Sequence, residues 1–257
     1  MMLARWLHLA LLVCVGAGIS LGALLQMDWI GLLALLAAML WVFLLVRSAK
    51  LVRQVREAWA AAQLGRADLA GQQAAELIES WSMLRPVTLS AVQVLAVAAH
   101  ASARHAEAAE LAGFVLSRRE RLLVGDRTGT RLLLVDSLLA EGRLADAHGA
   151  ALPLYATKLP LADALRLLGL QLRLEARYGA WGSMCERIGA KVDMAELMPP
   201  AESAAAQALL GLAAARQGLD DWAGWLWRRV NLLADWSKLR DSEPALTAAG
   251  EGFRSAG

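Results

Sequence analysis

By residue type, chemistry in this chain could come from four histidines, two cysteines and one glycine-rich run. Gly16-Ala17-Gly18-Ile19-Ser20-Leu21-Gly22 spells G-x-G-x-x-x-G after an apolar stretch, and such glycines let a backbone approach a dinucleotide pyrophosphate. The acid that would hold the ribose about 20 residues further on is absent, and the surroundings are those of a membrane span. Packing is the expected role. Cys14, Gly18 and Gly22 recur every four residues and form a small-residue face for a neighbouring helix. His100 and His105 are five apart, a spacing that does not align two ligands on one helix face. His8 falls inside an apolar stretch and His148 on a solvent-rich helix, so neither haem nor metal ligation is expected. With only Cys14 and Cys185, no disulfide framework or thiolate cluster is implied. No G-x-S-x-G elbow, phosphate-binding Walker loop, H-E-x-x-H or paired-cysteine pattern occurs, and Asp220-Asp221 reads as an acid pair at a helix start. These residues predict a non-enzymatic protein with no catalytic, metal-binding or cofactor-binding side chains.

The elements that carry these residues begin with a membrane hairpin. Between residues 6 and 46 the only charged or imidazole side chains are His8 and Asp28. Residues 6–27 give roughly 33 Å of helix, enough for a hydrocarbon core of about 30 Å, and residues 29–46 form a second span near the lower limit of length. Arg5 precedes the first span and Arg47, Lys50, Arg53 and Arg56 follow the second, which places both flanks in the cytoplasm. The four basic residues after the second span set topology and attract anionic lipid headgroups at about 1 kcal/mol per charge. Trp6 and Trp29 suit the membrane interface. The rival reading is a cleaved signal peptide, in which Arg5 and the first apolar run are an n-region and an h-region.

Outside the hairpin the chain is charge-mixed: 25 basic and 23 acidic residues spread over positions 47–257. Ala, Leu, Arg and Glu dominate and β-branched residues are few, which favours helix. The formal net charge of +2 gives no reason to expect nucleic acid. A repeat organises this region. A small residue that ends one helix is followed five positions later by an Ala or Met: Gly65 and Ala70, Ala103 and Ala108, Gly142 and Ala147, Gly179 and Met184, Gly218 and Ala223. Successive starts lie 38, 39, 37 and 39 residues apart, as in stacked helical hairpins that cannot bury their apolar faces alone. Pro86, residues 125–129, Pro160, Pro199-Pro200 and Pro244 mark breaks between units.

Leu210-Gly211, Ala214, Gly218, Ala223 and Trp227 resemble the tetratricopeptide repeat in spacing, and Leu134-Val135, Leu138, Gly142 and Ala147 follow it more loosely. A HEAT-like array, with a period near 40, is the structural alternative. Trp222, Trp225, Trp227 and Trp236 are read as packing residues, because Trp227 occupies the repeat's core aromatic position. Taken with the two spans and the basic stretch, ALRLLGLQLRLEARYGAWGSM at 164–184 and LLADWSKLRDSEPALTAAG at 232–250 resemble the HemY family of bacterial inner-membrane repeat proteins. That resemblance implies a non-enzymatic role at the cytoplasmic side connected with haem or porphyrin biosynthesis.

The expected fold is therefore all-α: a two-helix transmembrane hairpin at 1–46, then a cytoplasmic solenoid of about five helical hairpins at 47–257. In tetratricopeptide solenoids the first helix of each unit lines a concave groove, and carrying that geometry over selects Trp59, His100, Asp136, Arg173, Arg177 and Arg216. The three Arg suit an acidic peptide segment, since guanidinium forks match carboxylates. The expected function is a membrane-anchored scaffold or assembly factor that binds protein partners through this groove and lipids through its basic stretch. Homo-oligomerisation stays open. A tetrapyrrole-binding regulator, and a membrane subunit whose hairpin is the interaction surface, are the two alternatives.

Overall fold

The computed structural model describes residues 28–80 and 85–247, all of whose regular structure is helical. The first apolar span at 6–27, with Cys14, Gly18 and Gly22, lies outside the described residues. The helix α1 runs unbroken over Asp28–Gln63. Its N-terminal half is apolar and exposed at Leu33, Leu36, Leu40, Trp41 and Phe43, and it is long and apolar enough to cross a membrane. Its C-terminal half is amphipathic: Leu51, Val55, Ala58 and Ala61 are buried, while Lys50, Arg53 and Arg56 face outward and Arg53 pairs with Glu57 at 2.8 Å. No helix breaker separates the halves, so one continuous helix runs through the boundary expected at 46/47.

Beyond α1 come α2 (Ala67–Glu79), α3 (Arg85–Ala101), α4 (His105–Ser117), α5 (Arg127–Ala140), α6 (Leu144–Tyr155), α7 (Leu161–Tyr178), α8 (Trp181–Cys185), α9 (Ile188–Glu196), α10 (Pro200–Arg216), α11 (Asp220–Leu233), α12 (Trp236–Ser242) and α13 (Pro244–Thr247). Apart from α8 with α9 and α11 with α12, each helix packs on its chain neighbour. In addition α1 packs on α3, α3 on α5, α5 on α7 and α7 on α10, so the first helices of successive pairs lie side by side. Apart from Pro153, inside α6, prolines sit at helix starts, where their missing N–H removes nothing: Pro86 in the first turn of α3, Pro160 before α7, Pro200 opening α10 and Pro244 opening α13. The break expected at residues 125–129 lies earlier, at 118–126, because the Asp126 side chain accepts from the Gly129 amide and caps α5.

Five turns join the pairs, and all five have the same geometry. Gly65, Ala103, Gly142, Gly179 and Gly218 are left-handed, with φ between 57° and 75°. At each, the next residue's amide reaches back to a carbonyl five positions earlier: Arg66 to Ala61, Arg104 to Ala99, Arg143 to Leu138, Ala180 to Glu175 and Leu219 to Ala214. This is the Schellman arrangement, which satisfies carbonyls a helix end leaves without partners. The residues five positions after the turns, Ala70, Ala108, Ala147, Met184 and Ala223, are all buried. In the fourth pair the second helix is broken into α8 and α9 at Arg187, itself left-handed at φ 51°.

Ala103 occupies a conformation that Gly adopts freely and an L side chain does not. Replacing Ala103 by Gly should therefore raise unfolding stability by up to about 1 kcal/mol, and Gly142→Ala should lower it by a similar amount. Open space around Gly142 leaves backbone strain as the only cost there. Urea unfolding of both variants checks the pair; equal stability of Gly142→Ala and wild type would contradict the account of the turns.

Candidate partner groove

The sequence-selected groove residues sit on the first helices: Trp59 on α1, His100 on α3, Asp136 on α5, Arg173 and Arg177 on α7, and Arg216 on α10. Four of them form or extend one polar line. His100 Nδ1 is 2.9 Å from the buried Ser137 hydroxyl, and its Nε2 is 3.4 Å from Asp136 Oδ2. Arg173 Nη1 lies 3.7 Å from the other Asp136 oxygen, while its Nε donates to Glu243 Oε1 at 2.6 Å. Arg177 donates to the Leu139 carbonyl, tying α7 to the end of α5. Arg216 is exposed and forms no ion pair among the described residues. It borders a cleft shared with Arg177, Trp181, Leu212 and Ala245.

Burial pushes the Asp136 carboxyl upward, but His100, Arg173 and Arg166 around it more than reverse this, and its pKa lies below the ordinary 3.8. A depressed folded-state pKa stabilises the fold above the ordinary value, and that contribution is lost as pH falls through the folded pKa. Acid unfolding below about pH 4 should thus be less steep in Asp136→Asn than in wild type. Parallel acid-limb slopes for the two proteins would show that Asp136 is not held by these neighbours.

Trp59 does not join this line. The loop 118–126 covers it: the Gly125 Cα would place a Cβ 3.0 Å from the Trp59 ring and 2.5 Å from the Gln93 amide nitrogen. The Leu123 amide donates to Ser90 Oγ and Gln93 donates to the Asp126 carbonyl at 3.4 Å, so the loop is stitched to α3, while Gln93 also donates to Thr130 Oγ1 at 2.9 Å and ties α3 to α5. The chain itself thereby covers one side of Trp59.

The other residues singled out by type do not converge. His100 and His105 stack edge to face at 5.1 Å, and no group of three metal-ligating side chains exists among the described residues. Cys185 is a free thiol whose pKa burial raises. The tryptophans divide into two pairs, Trp222 with Trp225 and Trp227 with Trp236. All four are partly buried against the last core, and the Arg229 guanidinium lies 4.7 Å over the Trp225 ring.

One participant escaped the sequence reading. Glu243, buried at 4% exposure, belongs to the C-terminal segment 234–247, which turns back so that α13 contacts α7 and α10. The Arg173–Glu243 pair spans 70 residues, and nothing in the spacing of either residue announces the other. No protein-family model matches the chain, and no curated protein matches it.

Proposed function

We propose that the protein is a non-enzymatic scaffold or assembly factor, anchored as a multi-pass protein in a bacterial inner membrane, which binds partner proteins through a tetratricopeptide-like solenoid on the cytoplasmic side. The observation that carries this reading is the fivefold recurrence of one turn geometry with a buried small or apolar residue five positions later, together with first helices that lie side by side. Five copies of a unit that packs only on its neighbours suit an extended binding face better than an enclosed pocket. The Leu210-Gly211 pair adds support: a Cβ at Gly211 would stand 3.3 Å from Trp227, so the close approach that the repeat pattern needs is present in the last pair.

The anchoring half of the proposal rests on the exposed apolar face of α1 and on the basic residues Lys50, Arg53 and Arg56 that follow it along the same helix. A link to haem or porphyrin biosynthesis rests on the resemblance to the HemY family. Arg216, exposed beside the Arg177 and Trp181 cleft, is the guanidinium best placed to meet a partner's carboxylate. Full-length protein captured from gently solubilised membranes should bring down companion proteins, porphyrin-pathway enzymes among them. Arg216→Glu should reduce their recovery about tenfold or more with the thermal unfolding temperature unchanged. Equal recovery from both proteins would remove the groove from the proposal.

A further inference from the structure

The C-terminal segment lies where a partner's peptide would lie. The helix α11 ends at Ala234, whose extended backbone (φ −153°) redirects the chain, and Asp235 restarts it by accepting from the Ser237 amide. Two short helices follow and bring three residues onto the first helices of the fourth and fifth pairs. Glu243 places its carboxylate on Arg173, Leu246 is fully buried within the last core, and Ala245 lines the cleft beside Arg177 and Arg216. An acid and a buried leucine three positions after it thus fill the polar and apolar halves of one seat.

The segment is held by few elements. The helix α12 has seven residues and α13 has four, too short to be stable alone, and neither pairs lengthwise with a neighbour as the earlier helices do. The ion pair that ties it to the groove is Glu243 with Arg173, whose other carboxylate neighbour, Asp136, belongs to the groove itself. A carboxylate and a leucine delivered from another chain would meet the same guanidinium and the same apolar floor.

We propose that residues 243–246 are a self-ligand that closes the groove, and that the partner segment is an acidic peptide with an apolar residue three positions after its carboxylate, which binds by displacing them. This rests on the groove reading given above and adds its regulation and the chemistry of the peptide. A tethered segment competes at an effective concentration in the millimolar range for a short linker, so the closed chain binds a free peptide more weakly by the fraction of time it is closed.

The test uses the full-length chain in detergent and a fluorescent synthetic peptide with the sequence of residues 235–247. Wild type should bind the peptide weakly. A chain carrying Glu243→Lys and Leu246→Asp, its own segment expelled, should bind at least about tenfold more tightly. Adding Arg173→Glu to that open chain should abolish binding, and a peptide with Lys at the Glu243 position should recover it. Failure of the open chain to bind any peptide, or loss of its cooperative thermal transition, would overturn the inference, since the segment would then be a structural cap. The Arg216→Glu capture experiment is read separately. Undiminished capture there beside peptide binding here would fault the scaffold reading alone, and diminished capture without peptide binding would fault the self-ligand alone.

Discussion

Gly125→Ala is expected to destabilise the folded chain by about 3–5 kcal/mol. The residue is left-handed at φ 61°, so any side chain begins with a strain of about 1 kcal/mol. The new methyl would then lie 2.5 Å from the Gln93 amide nitrogen and 3.0 Å from the Trp59 ring. Amide ends can often swing aside, but this one donates to Thr130 Oγ1 at 2.9 Å in a buried setting, and moving it costs a buried hydrogen bond. Trp59 in turn is partly buried against the first core beside Leu51, Val55 and Ala58, so its ring can shift only by giving up that packing. Urea unfolding followed by circular dichroism reads the effect; a loss below about 1 kcal/mol would mean that the loop 118–126 does not close over α1 and α3 as described.

The second large effect is that of Arg173→Glu. Arg173 stands between two carboxylates, Asp136 at 3.7 Å and the buried Glu243 at 2.6 Å, and reversal of its charge would gather three acids at one point. Breaking a buried pair from one side costs about 3–5 kcal/mol where the stranded charge has no escape. Here it has one. The segment 234–247 can leave its seat and return Glu243 to water, so the cost is capped at the free energy that docks the segment. The variant should therefore keep most of its thermal stability while trypsin cleaves after Lys238 and Arg240 about tenfold faster or more, because native-state cleavage follows local opening. Unchanged cleavage with unchanged stability would show that the Arg173 pair does not hold the segment down.

The repeat was the most legible part of the chain, and for a local reason. A left-handed turn selects Gly or another small residue, and close helix approach five positions later selects Ala, so both constraints write themselves into the sequence at fixed spacing. Ala103 and Met184 show how far that code bends, since the same backbone forms around an Ala at the turn and a Met in the packing position. The all-helical class was equally legible from composition. What local spacing cannot carry is contact between distant segments. Glu243 finds Arg173 across 70 residues, and Gly125 finds Trp59 across a similar distance, with no periodicity to reveal either. Trp59 was thus selected for the groove by its place in a repeat, whereas the loop 118–126 makes it a packing residue. The continuity of α1 was hidden in another way: the charge step after Val46 resembles a boundary, but a charge step does not interrupt a helix.

The His100–Asp136–Arg173–Glu243 line joins α3, α5 and α7 to the C-terminal segment, so the residues that would recognise an acidic peptide already hold the helices of the groove in register. On the scaffold reading proposed above, such a line specifies the relative placement of the pairs while its far end exchanges with a partner. Arg216 lies beyond this line and is free to report on partners without disturbing it.

The most direct test places a photo-crosslinking amino acid at Arg216, on the groove side, and at His148, exposed on the second helix of the third pair, in the full-length chain within intact membranes. If the groove captures partners, irradiation should join discrete proteins to the Arg216 position and leave the His148 position essentially unmodified. Equal labelling from the two positions, or adducts at His148 alone, would contradict the claim that the first helices form a protein-binding face.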